Sequence, residues 1–239
     1  MLRSLDMSER ATPAPGRARS AMAAERPWDD PTARRLSSAP LWFLAAIAPM
    51  LASEIVRLSQ ADPLSWIAWD YAGRIAALAV LAASPAVRRV AFSRQPSRIA
   101  WWETALWIIG LVAFDRIVDH AVFQTLDAMI PGTRLGQFPP CRGWLFAVDI
   151  SLGLALVACC EEVIFRRFAR EVLSRLVGDG WAMVIVSALL FASWHWWTGI
   201  GNIAATFLFG VLAMLCYRRA GTLSPVVLAH YLCDVANFS

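Results

Sequence analysis

The chain has 239 residues, of which 58% are hydrophobic and only 17% are charged, and its mean hydropathy is +0.52. A soluble domain of this length carries more charge and fewer apolar runs, so the composition predicts an integral membrane protein. The net charge of +4 comes largely from arginines spread over separate loops. Because they do not form one basic face, we expect membrane lipid as a partner and no nucleic acid.

Residues 1–39 are rich in proline, alanine, arginine and serine and contain no apolar run. This composition predicts a disordered cytoplasmic tail. No hydrophobic stretch typical of a signal peptide is visible in it. Met7 and Met22 are alternative start positions within this tail.

Seven apolar segments follow, and several approach the ~20 residues that a transmembrane helix requires. We therefore predict an all-α, polytopic helical membrane protein with about seven transmembrane helices, those of residues 40–142 forming its N-terminal part. The longest loop is 119–142, which is interrupted by prolines and glycines. The predicted spans are 40–58, 66–87, 99–118, 143–165, 181–198, 202–217 and 222–238.

Arginines cluster in alternate loops between these spans. They are dense at 88–98, 166–175 and 218–219, and sparse in the intervening loops. Because cytoplasmic loops carry an excess of arginine and lysine, this alternation predicts a cytoplasmic N-terminus and an external C-terminus.

Two adjacent glutamates, Glu161 and Glu162, end the apolar run of the fourth span. A charge inside a membrane helix costs roughly 2.5–3.5 kcal/mol even on lenient scales, so the pair needs compensation. Arg166 lies four residues after Glu162 and shares its helical face, which predicts an ion pair. Glu161 points about 100° away and lacks that partner. The pattern predicts one paired glutamate and one that is free to act as a buried general base.

Ionisable side chains also lie in two other spans. Glu161 lies 18 residues before Asp179 and His195 lies 16 residues after it. In an antiparallel pair with its turn at Asp179, the two side chains differ in height by about 3 Å. The same counting through the last two spans brings His230 and Asp234 near this level. We therefore expect Glu161, Glu162, His195, His230 and Asp234 to converge at one depth.

Each of these groups alone also fits a structural role. His195 lies among tryptophans and suits an interfacial aromatic belt. His230 with Asp234 suits a hydrogen-bonded pair between helices, and Glu162 with Arg166 suits a structural ion pair. Their convergence at one depth is what favours a functional site.

The motif series in the second half of the chain resembles a known family. Its elements are Glu161-Glu162-x-x-x-Arg166, Phe191-x-x-x-His195 and His230-x-x-x-Asp234. Over residues 143–238 the chain is similar to the CPBP family, the CAAX-type prenyl proteases and bacteriocin-processing membrane proteins, also called the Abi family. The run FLFGVLAMLCYRRAGTLSPVVLAHYLCD resembles the last two core helices of that family.

The resemblance implies a glutamic intramembrane endopeptidase without a cofactor, built on a core bundle of four helices. It implies that Glu161 activates water as general base with the help of His195. It also implies that His230 and the residue four positions later stabilise the oxyanion, and that Glu162 and Arg166 orient the site.

One position departs from the family pattern. The family most often has asparagine four residues after the last histidine, and this chain has Asp234. Because an ionised aspartate cannot donate a hydrogen bond to an oxyanion, three alternatives stay open. Asp234 is protonated, it orients His230, or His230 stabilises the oxyanion alone.

The expected substrate is a membrane-anchored or C-terminally tagged peptide or protein, such as one with a C-terminal sorting tail, in a bacterial inner membrane. One alternative is a non-catalytic immunity or scaffold protein on the same fold. Another is a zinc-dependent protease in which Glu161, His195 and His230 are the three ligands. The HExxH motif of many zinc proteases is absent from the sequence.

Overall fold

The computed structural model describes residues 38–238, and within this range all regular structure is helical. The predicted tail at 1–39 lies outside these residues except for its last two. Three π-helical segments, Asp119–Gln124, Asp149–Gly153 and Glu162–Phe168, interrupt the α-helices. The α-helices are α1 Ala39–Arg57, α2 Pro63–Ala83, α3 Pro85–Phe92, α4 Trp101–Val118, α5 Thr125–Met129, α6 Gly143–Val148, α7 Leu154–Glu161, α8 Ala169–Val177, α9 Trp181–Trp194, α10 Ile200–Ala220 and α11 Ser224–Phe238.

Helices occupy all seven predicted spans, so the all-α, polytopic prediction is confirmed. In the described part of the chain, four helical stretches are long and apolar enough to cross a membrane, and α9 is a shorter apolar helix. The four are Ala39–Arg57, Pro63–Ala83, Gly143–Val177 and Ile200–Ala220. The third joins α6, α7 and α8 with two π-helical segments into one continuous rod.

Two predicted boundaries were wrong. The span 66–87 breaks after Ala83, because Pro85 starts a new helix and disfavours helical geometry in the residue before it. The loop predicted at 119–142 is helical as far as Met129. Its turn signals begin only at Pro131, so nothing in the preceding residues ends the helix.

Local signals fix the helix ends that position the site. Asp62 caps α2, and its side chain accepts a hydrogen bond from the backbone nitrogen of Ser65 at 2.8 Å. The predicted turn after the fourth span is present, with Gly178 ending α8 at φ +78°. Gly221 ends α10 in the left-handed conformation that glycine adopts without strain.

The packing of α1 against α2 is unusually close at Gly73. A Cβ atom at this position would lie 1.9 Å from the Oγ atom of Ser53, so only glycine fits. The other main contacts pair α9 with α10 and α4 with α11. Helix α7 lies against both α2 and α11, so Glu161 at its end faces two neighbouring helices.

Aromatic packing holds the π-helical segment after α7. The ring of Phe165 lies 6.3 Å from that of Phe43 in α1 and 5.5 Å from that of Phe191 in α9, both in edge-to-face geometry. Phe165 and Phe168 are almost completely buried. Edge-to-face pairs add about 0.5–1.5 kcal/mol beyond their buried area, so the backbone around Glu162 is fixed from several sides.

Candidate active site

The two glutamates stand at a change of helix type. Glu161 is the last residue of α7, and Glu162 is the first residue of the π-helical segment. Such π segments within α-helices are rare and frequent at functional sites. The predicted ion pair is present across this segment, with the Nε atom of Arg166 3.1 Å from the Oε2 atom of Glu162. Both side chains are 0% exposed.

The charge of Arg166 is stabilised by few partners. Its guanidinium carbon lies 4.1 Å from the centre of the Phe191 ring, in cation–π geometry. Among the described residues, its three side-chain nitrogens have no well-aligned hydrogen bond. Glu162 and the ring are therefore its main compensation, and removing Glu162 leaves the buried charge of Arg166 without a carboxylate partner.

His230 is held from behind by Glu162. Its Nδ1 atom lies 2.9 Å from the Oε1 atom of Glu162, and because a carboxylate only accepts, Nδ1 is the donor. The opposite nitrogen, Nε2, lies 3.8 Å from Oε2 of Glu161 and 3.6 Å from Oδ2 of Asp234. These distances are too long for direct hydrogen bonds. Glu162 thus fixes the ring so that Nε2 faces the other two carboxyl groups.

Glu161 has a cationic partner, so the prediction that it is free was wrong. Its Oε1 atom accepts a hydrogen bond from Nη1 of Arg74 in α2 at 2.7 Å. Counting along one helix identifies partners only on that helix, and this partner lies 87 positions earlier in the chain. Its other oxygen, Oε2, has no hydrogen-bond partner among the described residues.

Arg74 belongs to a buried chain of charges that sequence reasoning missed. Its Nε atom donates to Asp70 at 3.0 Å, and Asp70 also accepts from Arg57 at 2.7 Å. Arg57 in turn donates to Glu54 at 2.7 Å. The signal was present, since Asp70 and Arg74 are four residues apart in an apolar span, as are Glu162 and Arg166.

His195 directly follows α9. Its Nδ1 atom lies 3.0 Å from the backbone carbonyl oxygen of Phe191, which can only accept. Nδ1 is therefore the donor, and in the neutral ring Nε2 carries no proton. This leaves Nε2 of His195 as an acceptor suited to orient a water molecule.

Four of the six predicted site residues line a cavity of about 830 Å³, and the other two do not. The cavity also reaches Arg74 and Asp70 of α2. The two residues of the buried ion pair do not line it. The cavity is lined by Glu161, His195, His230 and Asp234, whereas Glu162 and Arg166 lie behind it.

Part of the loop predicted at 119–142 forms one wall of this cavity. Residues 136–141 line it, and the ring of Phe138 packs edge-to-face on three other aromatic rings. The distances between ring centres are 5.8 Å to Trp66, 5.2 Å to Trp197 and 4.7 Å to Phe238. The prolines and glycines that suggested a loop also let it follow the cavity surface.

A metal site is not preformed in residues 38–238. No group of three or more histidine, cysteine, aspartate and glutamate side chains in this range has an arrangement that holds a metal ion. Glu161, His195 and His230, the set that the zinc alternative requires, would have to rearrange to bind one.

Residues 143–236 match the family model described as type II CAAX prenyl endopeptidase Rce1-like. We call this segment the Rce1-like domain. The match confirms the predicted resemblance to the CPBP family, and together with the apolar helices it supports an integral membrane protein related to a family of proteases. No curated protein and no solved structure matches the chain. The Rce1-like domain contains all six predicted site residues, and Arg74 lies outside it.

The ion pair behind the cavity generates a stability prediction. Arg166→Ala removes the arginine partner of the buried Glu162 and leaves it with His230 alone, and we expect the variant to lower the free energy of unfolding by about 3–5 kcal/mol. Arg167→Ala is the matched control, since Arg167 is partly buried, has no carboxylate partner among the described ion pairs, and its hydrogen bonds to Ala91 and Ser93 are long, at 3.4 and 3.5 Å. Melting temperatures in detergent measure the difference, and equal values for the two variants would contradict the prediction.

Proposed function

We propose that the chain is an intramembrane endopeptidase in which Glu161 activates the hydrolytic water. The observation that carries this proposal is the state of the Glu161 carboxylate. One oxygen is held by Arg74 at 2.7 Å, and the other faces Nε2 of His230 at 3.8 Å without a hydrogen bond. A fixed carboxylate with one open oxygen beside a cavity is the arrangement that a general base requires.

In the proposed reaction, the open oxygen of Glu161 takes a proton from water as the water oxygen attacks the scissile carbonyl carbon. The Nε2 atom of His195 accepts the second hydrogen bond of that water. The tetrahedral intermediate then collapses with cleavage of the C–N bond. Glu161 returns its proton to the departing amine, so the enzyme ends each cycle in its starting state.

Stabilisation of the oxyanion is assigned to His230. With its Nδ1 proton held by Glu162 at 2.9 Å, the ring donates from Nε2 into the cavity when that nitrogen is also protonated. The carboxylate behind the ring stabilises the imidazolium form. Donors fixed before the reaction stabilise developing charge without reorganising, and removing one such donor typically costs ~10²–10³ in rate.

The proposed substrate is a membrane-anchored peptide or a protein with a C-terminal sorting tail, cleaved in a bacterial inner membrane. Two observations support a peptide substrate: the Rce1-like match and the size of the cavity, about 830 Å³.

The function is tested by the Glu161→Gln variant. Purified full-length protein in proteoliposomes is incubated with a membrane fraction of the source organism and, separately, with a farnesylated CAAX peptide. We expect new peptide termini, identified by mass spectrometry, with the wild type and none with the variant, because glutamine cannot accept the proton of water. Membrane insertion and melting temperature serve as controls for folding.

Four outcomes separate the alternatives. Equal termini from both proteins would remove Glu161 from the mechanism, and no termini from either would favour the immunity or scaffold function. Loss of activity after chelation, with recovery on adding Zn²⁺, would favour the zinc-dependent protease. Cleavage of the farnesylated peptide alone would replace the sorting-tail substrate with a prenylated one.

The contacts of His230 argue against one of the roles considered for Asp234, that of orienting the ring. The tautomer of the ring is already fixed by Glu162, which makes a second orienting carboxylate unnecessary. The Oδ2 atom of Asp234 is buried, lies 3.6 Å from Nε2 of His230 and has no well-aligned hydrogen bond among the described residues. We therefore propose that Asp234 is protonated and acts as a donor to the oxyanion, like the asparagine of the family pattern.

This role predicts the behaviour of Asp234→Asn. The amide has a permanent donor, so the variant retains or increases the cleavage rate. In the wild type, ionisation of Asp234 removes the donor as the pH rises. The variant should therefore lose less rate at alkaline pH, which a pH–rate profile measures. A large loss of rate at every pH would overturn the donor role and leave His230 as the main oxyanion group.

The orientation in the membrane is proposed from the arginine clusters. We propose that the N-terminus and the loops near 88–98, 166–180 and 218–221 face the cytoplasm. Arg94→Cys in a background without the five native cysteines tests this. We expect a membrane-impermeant maleimide to label it in inverted vesicles and not in intact cells. Labelling from the outside would reverse the orientation.

A further inference from the structure

The shortest polar contact of Glu161 comes from outside the Rce1-like domain. Nη1 of Arg74 donates to Oε1 of Glu161 at 2.7 Å, and the two side chains are only 5% and 3% exposed. Arg74 lies in α2, whereas the family match begins at residue 143. The helices before the domain therefore contribute a charge directly to its most important carboxylate.

We propose that Arg74 is a positioning residue for the general base: it holds Glu161 in its ionised form and turns Oε2 toward the substrate water. This inference rests on the proposed role of Glu161. It implies that the active site is incomplete in residues 143–236 alone, because α2 supplies the group that prepares the base.

The first part of the argument is electrostatic. Burial disfavours an ionised carboxylate, and a base that is protonated cannot accept a proton from water. Other groups that approach Glu161 are His195 after α9 and His230 and Asp234 in α11. The histidines can be neutral and the aspartate is acidic, so Arg74 is the permanent cation in this set.

The second part is geometric. A carboxylate with two free oxygens rotates about its last bond, and only one oxygen can face the cavity productively. The hydrogen bond to Arg74 holds Oε1, which leaves Oε2 as the oxygen on the side of His230. Positioning of this kind matters because small displacements of a catalytic group change rates strongly.

The third part concerns how Arg74 itself is held. Its Nε atom donates to Asp70, which Arg57 also binds, so the guanidinium is fixed on one edge while its other edge reaches Glu161. The guanidinium carbon of Arg57 lies 5.0 Å from the centre of the Trp66 ring, and its Nη2 donates to Glu54. The planar fork of arginine matches this double contact, and the ammonium of lysine does not.

A purely structural role is the alternative, in which Arg74 only ties α2 to α7. The chain provides a matched control for it. Arg57 is another buried arginine of the same network and shares Asp70 with Arg74, but its ion pairs are with Glu54 and Asp70 and not with Glu161. Arg57→Gln removes an equivalent buried charge one link further from the base.

The experiment compares Arg74→Gln, Arg74→Lys and Arg57→Gln in full-length protein in proteoliposomes. The substrate is a synthetic peptide spanning the strongest cleavage site found in the source membranes or, if only that probe is cut, the farnesylated CAAX peptide. We expect Arg74→Gln to lower kcat by about 100-fold, the scale of general base catalysis, at nearly constant KM. In its pH–rate profile, the loss of activity on the acid side should begin at a higher pH than in the wild type. Arg57→Gln should lower the melting temperature similarly and lower kcat much less, because Arg57 contacts Asp70 and not Glu161.

Arg74→Lys provides the conservative test. It keeps the charge but not the double contact, so we expect a kcat between those of the wild type and Arg74→Gln. The acid side of its pH–rate profile should shift less than that of Arg74→Gln. If Arg74→Gln does not fold, this variant decides: an intermediate kcat at constant KM supports the inference, and a wild-type kcat overturns it.

The failure of the inference differs from the failure of the proposed function. An active Glu161→Gln variant would overturn both. An inactive Glu161→Gln with a wild-type kcat in Arg74→Gln would overturn only the role of Arg74. Equal losses of kcat in Arg74→Gln and Arg57→Gln, in proportion to their losses of stability, would also assign Arg74 a structural role.

Discussion

Buried charge is the constraint on which the arrangement of helices depends. Each ionised group in an apolar bundle needs a partner of opposite charge, because an unpaired charge costs far more than the pair gains. Glu161 reaches this partner only if α7 lies against α2, and Glu162 reaches His230 only if its helix lies against α11. Arg166, the other partner of Glu162, lies on the same π-helical segment. The close approach of α1 and α2 at Gly73 then brings their own charges into the same network.

Adjacent glutamates can take different tasks because they point in different directions. Glu162 faces the protein interior, where it compensates Arg166 and holds the Nδ1 atom of His230. Glu161 faces the cavity and keeps one oxygen unbonded. The π-helical segment that starts at Glu162 continues the helix of Glu161. One continuous helix therefore carries both the buried pair of Glu162 and Arg166 and the cavity-facing Glu161.

Sequence reasoning succeeded where the relevant partners lie on one helix or on helices joined by a short turn. The pair of Glu162 and Arg166, the turn at Gly178 and the approach of His230 to the glutamates follow from helical periodicity and antiparallel counting. Arg74 was not predicted as the partner of Glu161, because the packing of α2 on α7 is a long-range contact that no local pattern encodes. The π-helical segments were not predicted for a related reason. A change in the register of helical hydrogen bonds depends on tertiary packing rather than on residue type.

Charge balance also explains how the chain accommodates aspartate where the family pattern has asparagine. The connected network contains two more carboxyl groups than arginines, and an imidazolium at His230 balances one of these. With asparagine at position 234 the excess would be one, and His230 alone would balance it. Aspartate therefore requires one further proton in the network, and we place it on Asp234, which has no arginine ion pair among the described residues and lies 3.6 Å from Nε2 of His230. A protonated Asp234 has the shape and the donor of asparagine. In the proposed mechanism, the network that holds Glu161 ionised through Arg74 keeps the proton on Asp234 rather than on the base.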